Sequence, residues 1–273
     1  IGAADMGTGC DTILAQMAAE CLDCDVEDVA VFGADTDASP YDSGSYASST
    51  TYITGKAVEQ ACAQLKTKIC AIAAEMMGCD AGEIVFEGKQ VRRLSTGQTL
   101  TLEEIGYKSQ VFNTQAAEVT ATHSSPVSPP PYMVGMVEIE LDKETGQVTI
   151  LDYMAVVDCG IPINPALARI QTEGGIVQGI GHTLMEDVQY DHNGRPIGSS
   201  FLQYKVPTRL DMGHLRVEFE HSYEPTGPFG AKSIGEIVIN TPAPALTHAI
   251  YRATGVWHRE IPISPEKIAL GLE

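Results

Sequence analysis

The residues of this chain that could do chemistry sit among glycines. Residues 225–239 read PTGPFGAKSIGEIVI, and the one carboxylate in that stretch is Glu236. Small neighbours let backbone and ligand approach closely. If Glu236 is buried among these apolar residues, desolvation raises its pKa toward the range in which a general base works near neutral pH. The plainer reading is a helix-start residue favoured by the helix dipole. The residue pattern alone leaves both open.

Three further clusters join glycine to polar groups. In DMGTG, residues 5–9, Gly7 and Gly9 could turn backbone N–H groups toward an anion at a helix start; an ordinary strand-to-helix turn explains the run nearly as well. In SGSYASSTT, residues 43–51, hydroxyls precede a helix and could cradle a phosphate or simply cap it. In RIQTEGGIVQGIGH, Gly174, Gly175, Gly179 and Gly181 would each cost roughly 1 kcal/mol in a helix relative to Ala. Such a cost implies a close neighbour, for which a helix crossing is one candidate. The seven histidines are scattered without HExxH, which argues against a zinc site, and no metal ligand set is expected. GxSxG, the P-loop pattern and GxGxxG between strand and helix are missing, which weakens serine hydrolase, P-loop and Rossmann readings.

The elements that must position these residues follow from periodicity. IGAAD and VAVFGAD read as strands, with a helix between them capped by Asp11 or Thr12. The 15-residue loop TDASPYDSGSYASST leads to a helix over about 50–77, with Ser48, Ser49, Thr50 and Thr51 offering cap oxygens. Residues 82–110 read as short hairpin pieces. SSPVSPPPY, residues 124–132, reads as an extended linker. A hairpin over 134–160, a glycine-bearing helix over 163–187, a hairpin tipped by Asn193-Gly194 and a strand at LRVEFEHSY follow. The order is mixed, so the expected fold class is α+β in two subdomains, 1–123 and 133–273, the second carrying Glu236.

Composition sets the remaining bounds. Of 273 residues 44% are hydrophobic, enough for a sizeable core. The 36 acidic against 17 basic residues give a net charge of −19, which disfavours nucleic acid and anionic membrane partners. No apolar run approaches the roughly 20 residues of a bilayer crossing, so a soluble, cytoplasmic chain is expected. Seven cysteines, an odd count set in helix-like stretches, are read as reduced thiols, and the Cys21/Cys24 pair lacks the second pair a metal would need. The opening at Ile1 reads as a fragment, a processed chain or one half of a split domain.

In their order, DMGTGCDT, DTDASPYDSGSYASSTTYITGKAV, VVDCGIPINPALARIQTEGGIVQGIGHTLMED and EPTGPFGAKSIGE together resemble the molybdopterin-binding region of the xanthine dehydrogenase family of molybdenum hydroxylases. The resemblance covers most of the chain and is weakest between about 80 and 130. It implies that Glu236 is the base taking a proton from the hydroxyl on molybdenum, so that oxygen reaches an electron-poor substrate carbon. It places Met6, Gly7, Thr8 and Gly9 on a pterin loop, Gln171 on the pterin, and Ala47, Ser48, Ser49 and Thr50 on the metal and dinucleotide contacts. Tyr46 falls beside substrate. Thr8 departs from the Gln that family members often carry, and Tyr46 from a small residue seen in some.

The same resemblance implies a molybdenum–molybdopterin dinucleotide with cytosine as its nucleotide. It also implies partner subunits that hold the other molybdopterin-binding half, a 2Fe–2S centre and FAD, and a small aromatic heterocycle of nicotinate or purine type as substrate. The split branch of the family represented by nicotinate dehydrogenase is the most similar. Hydroxybenzoyl-CoA reductase or aldehyde oxidoreductase chemistry, or a non-catalytic structural subunit, are the alternatives.

Overall fold

The computed structural model describes residues 1–111 and 116–271. Its contacts form two compact units, one of residues 1–128 with 225–229, the other of 129–224 with 230–273. Each mixes helices with a small sheet, an α+β organisation. Among the described residues no helix is long and apolar enough to cross a membrane.

The first unit is built on a helix pair. α1 (Cys10–Leu22) buries Cys10, Leu14 and Met17, spaced along one helical face. α2 (Gly55–Met77) continues from a π turn at Thr50–Thr54. Met17 faces Gly55, where a Cβ would come within 2.7 Å of the Met17 sulfur, and the Cys21 thiol neighbours that of Cys62. The contacts advance together along both helices, so α1 and α2 run parallel and begin at the same end. The hydroxyls expected to cap α2 do not: Ser49 Oγ donates to Gly44 O at 3.1 Å and Thr50 Oγ1 to Ser45 Oγ at 2.8 Å. They tie the π turn back into the preceding loop instead.

β1 (Ile84–Glu87), β2 (Gln90–Arg93) and β3 (Thr99–Thr101) form an antiparallel sheet in that order. Ile84 and Val91 join Ile69, Ile72 and Ala73 of α2 and Ile105 of α3 (Leu102–Val111) in one buried cluster. Residues 102–111 are thus helical, not hairpin. Thr101 and Glu104 form the reciprocal cap that starts α3, with Thr101 N donating to Glu104 Oε2 at 2.8 Å and Glu104 N to Thr101 Oγ1 at 3.2 Å. The strands expected at 1–5 and 29–35 are also not formed. Ile1 N donates to Phe32 O at 2.9 Å, yet Ala34 turns left-handed at φ 58 and interrupts any ladder.

In the second unit β4 (Tyr132–Leu141) and β5 (Val148–Asp158) make the expected antiparallel hairpin, and β6 (His214–Phe219) lies parallel to β5. A parallel partner needs a crossover, which contains α4 (Pro165–Leu184). Asn164 caps that helix, its Oδ1 accepting from Leu167 N at 3.1 Å, and Pro165 takes the first helical position. Alternate residues Tyr153, Ala155 and Val157 of β5 pack with Ile176 and Ile180 of α4 and Leu246 of α5 (Pro242–Thr254). α6 (Pro265–Gly271) places Ile268 against Ile250 and Ile263. The hairpin expected over 188–197 is reduced to one bridge, Tyr190 with Pro196, because proline has no N–H to extend a ladder.

Candidate active site

The loop before α1 folds around Asp5. Its Oδ1 accepts from Gly7 N at 2.9 Å and Gly9 N at 3.2 Å, and its Oδ2 from Asp11 N at 3.4 Å. Gly7 and Gly9 adopt φ 104 and φ 77, which glycine alone takes readily. Gly9, and not Asp11 or Thr12, holds the N-cap position, and no side chain there caps α1. The Gly7 N–H chiefly, with those of Gly9 and Asp11, holds the Asp5 carboxyl below the usual aspartate value against a smaller upward push from burial. The anion in this nest is therefore the chain's own. Met6 and Thr8 stand exposed beside it.

The second loop is bent by Gly44 at φ 97 and then by two successive non-glycine residues, Ala47 at φ 51 and Ser48 at φ 59. Left-handed backbone costs a residue with a Cβ roughly 1–2 kcal/mol. Strain of this kind concentrates at functional sites, as do π turns. Tyr46 projects from this loop, 69% exposed. Since α1 and α2 start at the same end, residues 5–9 and 44–50 both lie where helix N-termini favour anionic or acceptor-rich groups.

Glu236 belongs to the second unit. It precedes a single turn, Ile237–Ile239, without capping it through its side chain, and it is exposed. The burial on which the desolvation argument depended is not supplied by this chain. What the chain supplies is position. The glycines of α4 admit the segment after Glu236: a Cβ on Gly175 would strike the Val238 side chain, and one on Gly179 would meet Pro242 Cγ at 2.7 Å and Ile239 O at 2.9 Å. Gly181 likewise leaves room for Pro207 and Glu186, whereas nothing lies within 4 Å of Gly174. The close neighbour implied by the glycines is thus the turn beside Glu236 and the start of α5. Gln171, half-buried, sits one helical turn before Gly175, and Glu236 two residues before Val238. The two belong to adjoining stretches of this unit.

Two residues passed over in the sequence complete the arrangement. Lys232 is buried and pairs with Asp158 at the end of β5, Nζ to Oδ2 2.7 Å. Asp158 Oδ1 also accepts from Gly160 N at 3.0 Å and from the Ser222 hydroxyl. Burial is the largest influence on the Asp158 carboxyl and pushes it up, but the bonds from Lys232, Ser222 and Gly160 together bring it below the usual aspartate value. Lys232, the one cation in the run 225–239, was the available signal, since a cation among small and apolar residues needs a partner if it is buried.

Asp5, Cys10 and Asp11 bring ligand-type atoms within 4.8 Å of one another. Asp5 is engaged by the helix start, and burial pushes the Cys10 thiol up to about 11, so this group is a cap with neighbours.

In the first unit the start of α2 is preceded by a run of uncharged hydroxyl donors, and in the second a carboxylate is carried on a segment packed against a glycine-lined helix. Residues 1–213 match the molybdopterin cofactor-binding domain family, and the chain belongs to that family. Glu236 lies outside the matched residues. The whole chain is 36% identical to the probable hypoxanthine oxidase XdhD of Escherichia coli and spans 29% of that protein. Over 98% of its length it is 33% identical to the gamma subunit of the 6-hydroxypseudooxynicotine dehydrogenase complex of Paenarthrobacter nicotinovorans, spanning 35% of it. Quinoline 2-oxidoreductase of Pseudomonas putida superposes with a TM-score of 0.85 at 27% identity, over 98% of this chain and 36% of that one. The chain therefore spans about a third of the length of these relatives.

The residues present fit such a group. A molybdopterin offers ring acceptors, donors and a phosphate, which hydroxyls, helix-terminal N–H groups and an amide such as Gln171 can match without a cation. Residues 43–54 contain hydroxyls throughout and neither Lys nor Arg.

Proposed function

We propose that this chain is the molybdopterin-binding part of a molybdenum hydroxylase of the xanthine dehydrogenase family, oxidising a nitrogen-heterocyclic aromatic substrate with water. The observation that carries the reading is the exposed carboxylate of Glu236, carried on a segment seated against Gly175 and Gly179 of α4. Met6, Gly7, Thr8, Gly9, Ala47, Ser48, Ser49, Thr50 and Gln171 hold the cofactor, and Tyr46 lies beside substrate. When bound, a molybdenum–molybdopterin cytosine dinucleotide supplies the two-electron acceptor. Glu236 takes up the proton that hydroxylation by water releases, and its carboxylate needs the fixed position described above to meet that proton within hydrogen-bond reach. The relatives' names, hypoxanthine oxidase and quinoline oxidoreductase, support a nitrogen heterocycle as substrate. The remaining molybdopterin-binding half, a 2Fe–2S centre and FAD belong to partner portions of the complex.

The competing reading is a structural subunit without turnover, favoured by Asp5 filling the Gly7 and Gly9 nest. Glu236→Gln in the molybdenum-loaded complex separates the two. Loss of a positioned base lowers kcat by roughly 10²–10⁴-fold, with molybdenum content retained. Unchanged turnover overturns the catalytic reading.

A further inference from the structure

We propose that the buried Asp158–Lys232 ion pair is a positioning device for Glu236, an inference that rests on the catalytic reading of that residue. Lys232 lies four residues before Glu236 and is 9% exposed. Its ammonium sits 2.7 Å from Asp158 Oδ2 and 5.5 Å from the centre of the Tyr132 ring. The backbone around it is stitched to the end of β5 as well. Lys232 N donates to Cys159 O at 2.7 Å, and Ile161 N to Gly230 O at 2.9 Å. Gly160, at φ 71, lets these strands meet, because a Cβ there would come within 2.8 Å of Lys232 N.

Glu236 is consequently bracketed. On its N-terminal side the chain is fixed at Lys232, with three residues between. On its C-terminal side Val238 is fully buried against Gly175, with one residue between. The intervening chain has little length in which to wander, so the backbone carrying the carboxylate is held from both sides. Burying two charges brings little net stability, since an apolar pair of the same size would fill the space as well. What a charged, multiply hydrogen-bonded pair adds is one defined geometry: Asp158 is itself oriented by Gly160 and Ser222. Lys232 thus acts through Glu236, touching neither substrate nor cofactor in this account.

A double-mutant cycle in the molybdenum-loaded protein that carries this chain tests the inference, with Lys232→Met, Glu236→Gln and the two combined. Misplacement of a base by an ångström costs up to about 10²-fold. Lys232→Met is expected to lower kcat by roughly tenfold to a hundredfold, with KM and molybdenum content unchanged. In the Glu236→Gln background it is expected to cost nothing further, because its effect passes through that carboxylate. Amide exchange over residues 233–237 is expected to quicken while that of α2 stays as it was. An equal loss in both backgrounds, or no loss at all, overturns the proposal, as does unchanged exchange over 233–237. Should Glu236→Gln leave turnover intact, the catalytic reading fails, and exchange still decides the anchoring. If Lys232→Met does not fold, Ser222→Ala, which removes one donor from Asp158, is read by the same cycle and exchange with smaller shifts in the same direction.

Discussion

At Asp5 one carboxylate serves the N–H groups of Gly7, Gly9 and Asp11, a role that spacing alone assigned to Asp11 or Thr12. Replacing it with Ala should lower the stability of the first unit by about 1 kcal/mol or less, as for an exposed cap, measured by urea denaturation at pH 7. The pH dependence has a fixed sign. A carboxyl whose folded pKa is depressed contributes stability above the ordinary aspartate value of about 3.9 and loses it as pH falls through the folded value. Wild type and Asp5→Ala should therefore converge in acid, and a gap that persists there would contradict the assignment. Glu236 was legible because it is the one carboxylate in its run. Asp158 was not, since an Asp closing an apolar strand looks like any strand end, and its partner lies 74 residues away.

Among the elements, α4 carries the most consequence for the site. Gly175, Gly179 and Gly181 were legible as close-approach positions and Gly174 was misread as one, while the partners were not legible, because nothing local says that Val238, Ile239 and Pro242 return to that face. Adding a Cβ tests the contact against a control on the same helix. Gly175→Ala should destabilise by about 1–3 kcal/mol, the cost of overpacking, and disturb amide exchange over residues 236–239. Gly174→Ala, with nothing within 4 Å, should be neutral or stabilise by up to about 1 kcal/mol through helix propensity. Equal effects at the two positions, measured by thermal denaturation, would contradict the docking. The elements misread from sequence share a cause. Residues 1–5 and 29–35 have strand-like side chains and touch each other, Ile1 N donating to Phe32 O, but the left-handed turn at Ala34 stops the pairing from extending into a ladder. Residues 102–111 carried their helix signal in Thr101 and Glu104, outweighed in the reading by the preceding β-prone run.

For the molecule as a whole, membership of the molybdopterin cofactor-binding domain family agrees with the hydroxyl-rich stretch 43–54 before α2, which has neither Lys nor Arg. The four motifs were legible as a set because each demands small residues for a physical reason: left-handed backbone at Gly7, Gly9, Gly44 and Gly230, and close packing at Gly175 and Gly179. A net charge of −19 repels an anionic molybdopterin cofactor through the chain's overall field, so attraction has to come from local donors. The most direct test is metal and nucleotide analysis of the chain purified with its native partners, counting molybdenum per copy and identifying the nucleotide released on denaturation. Molybdenum at parity with the chain, together with a cytosine nucleotide, is the predicted result. A fully assembled complex without molybdenum would contradict the account.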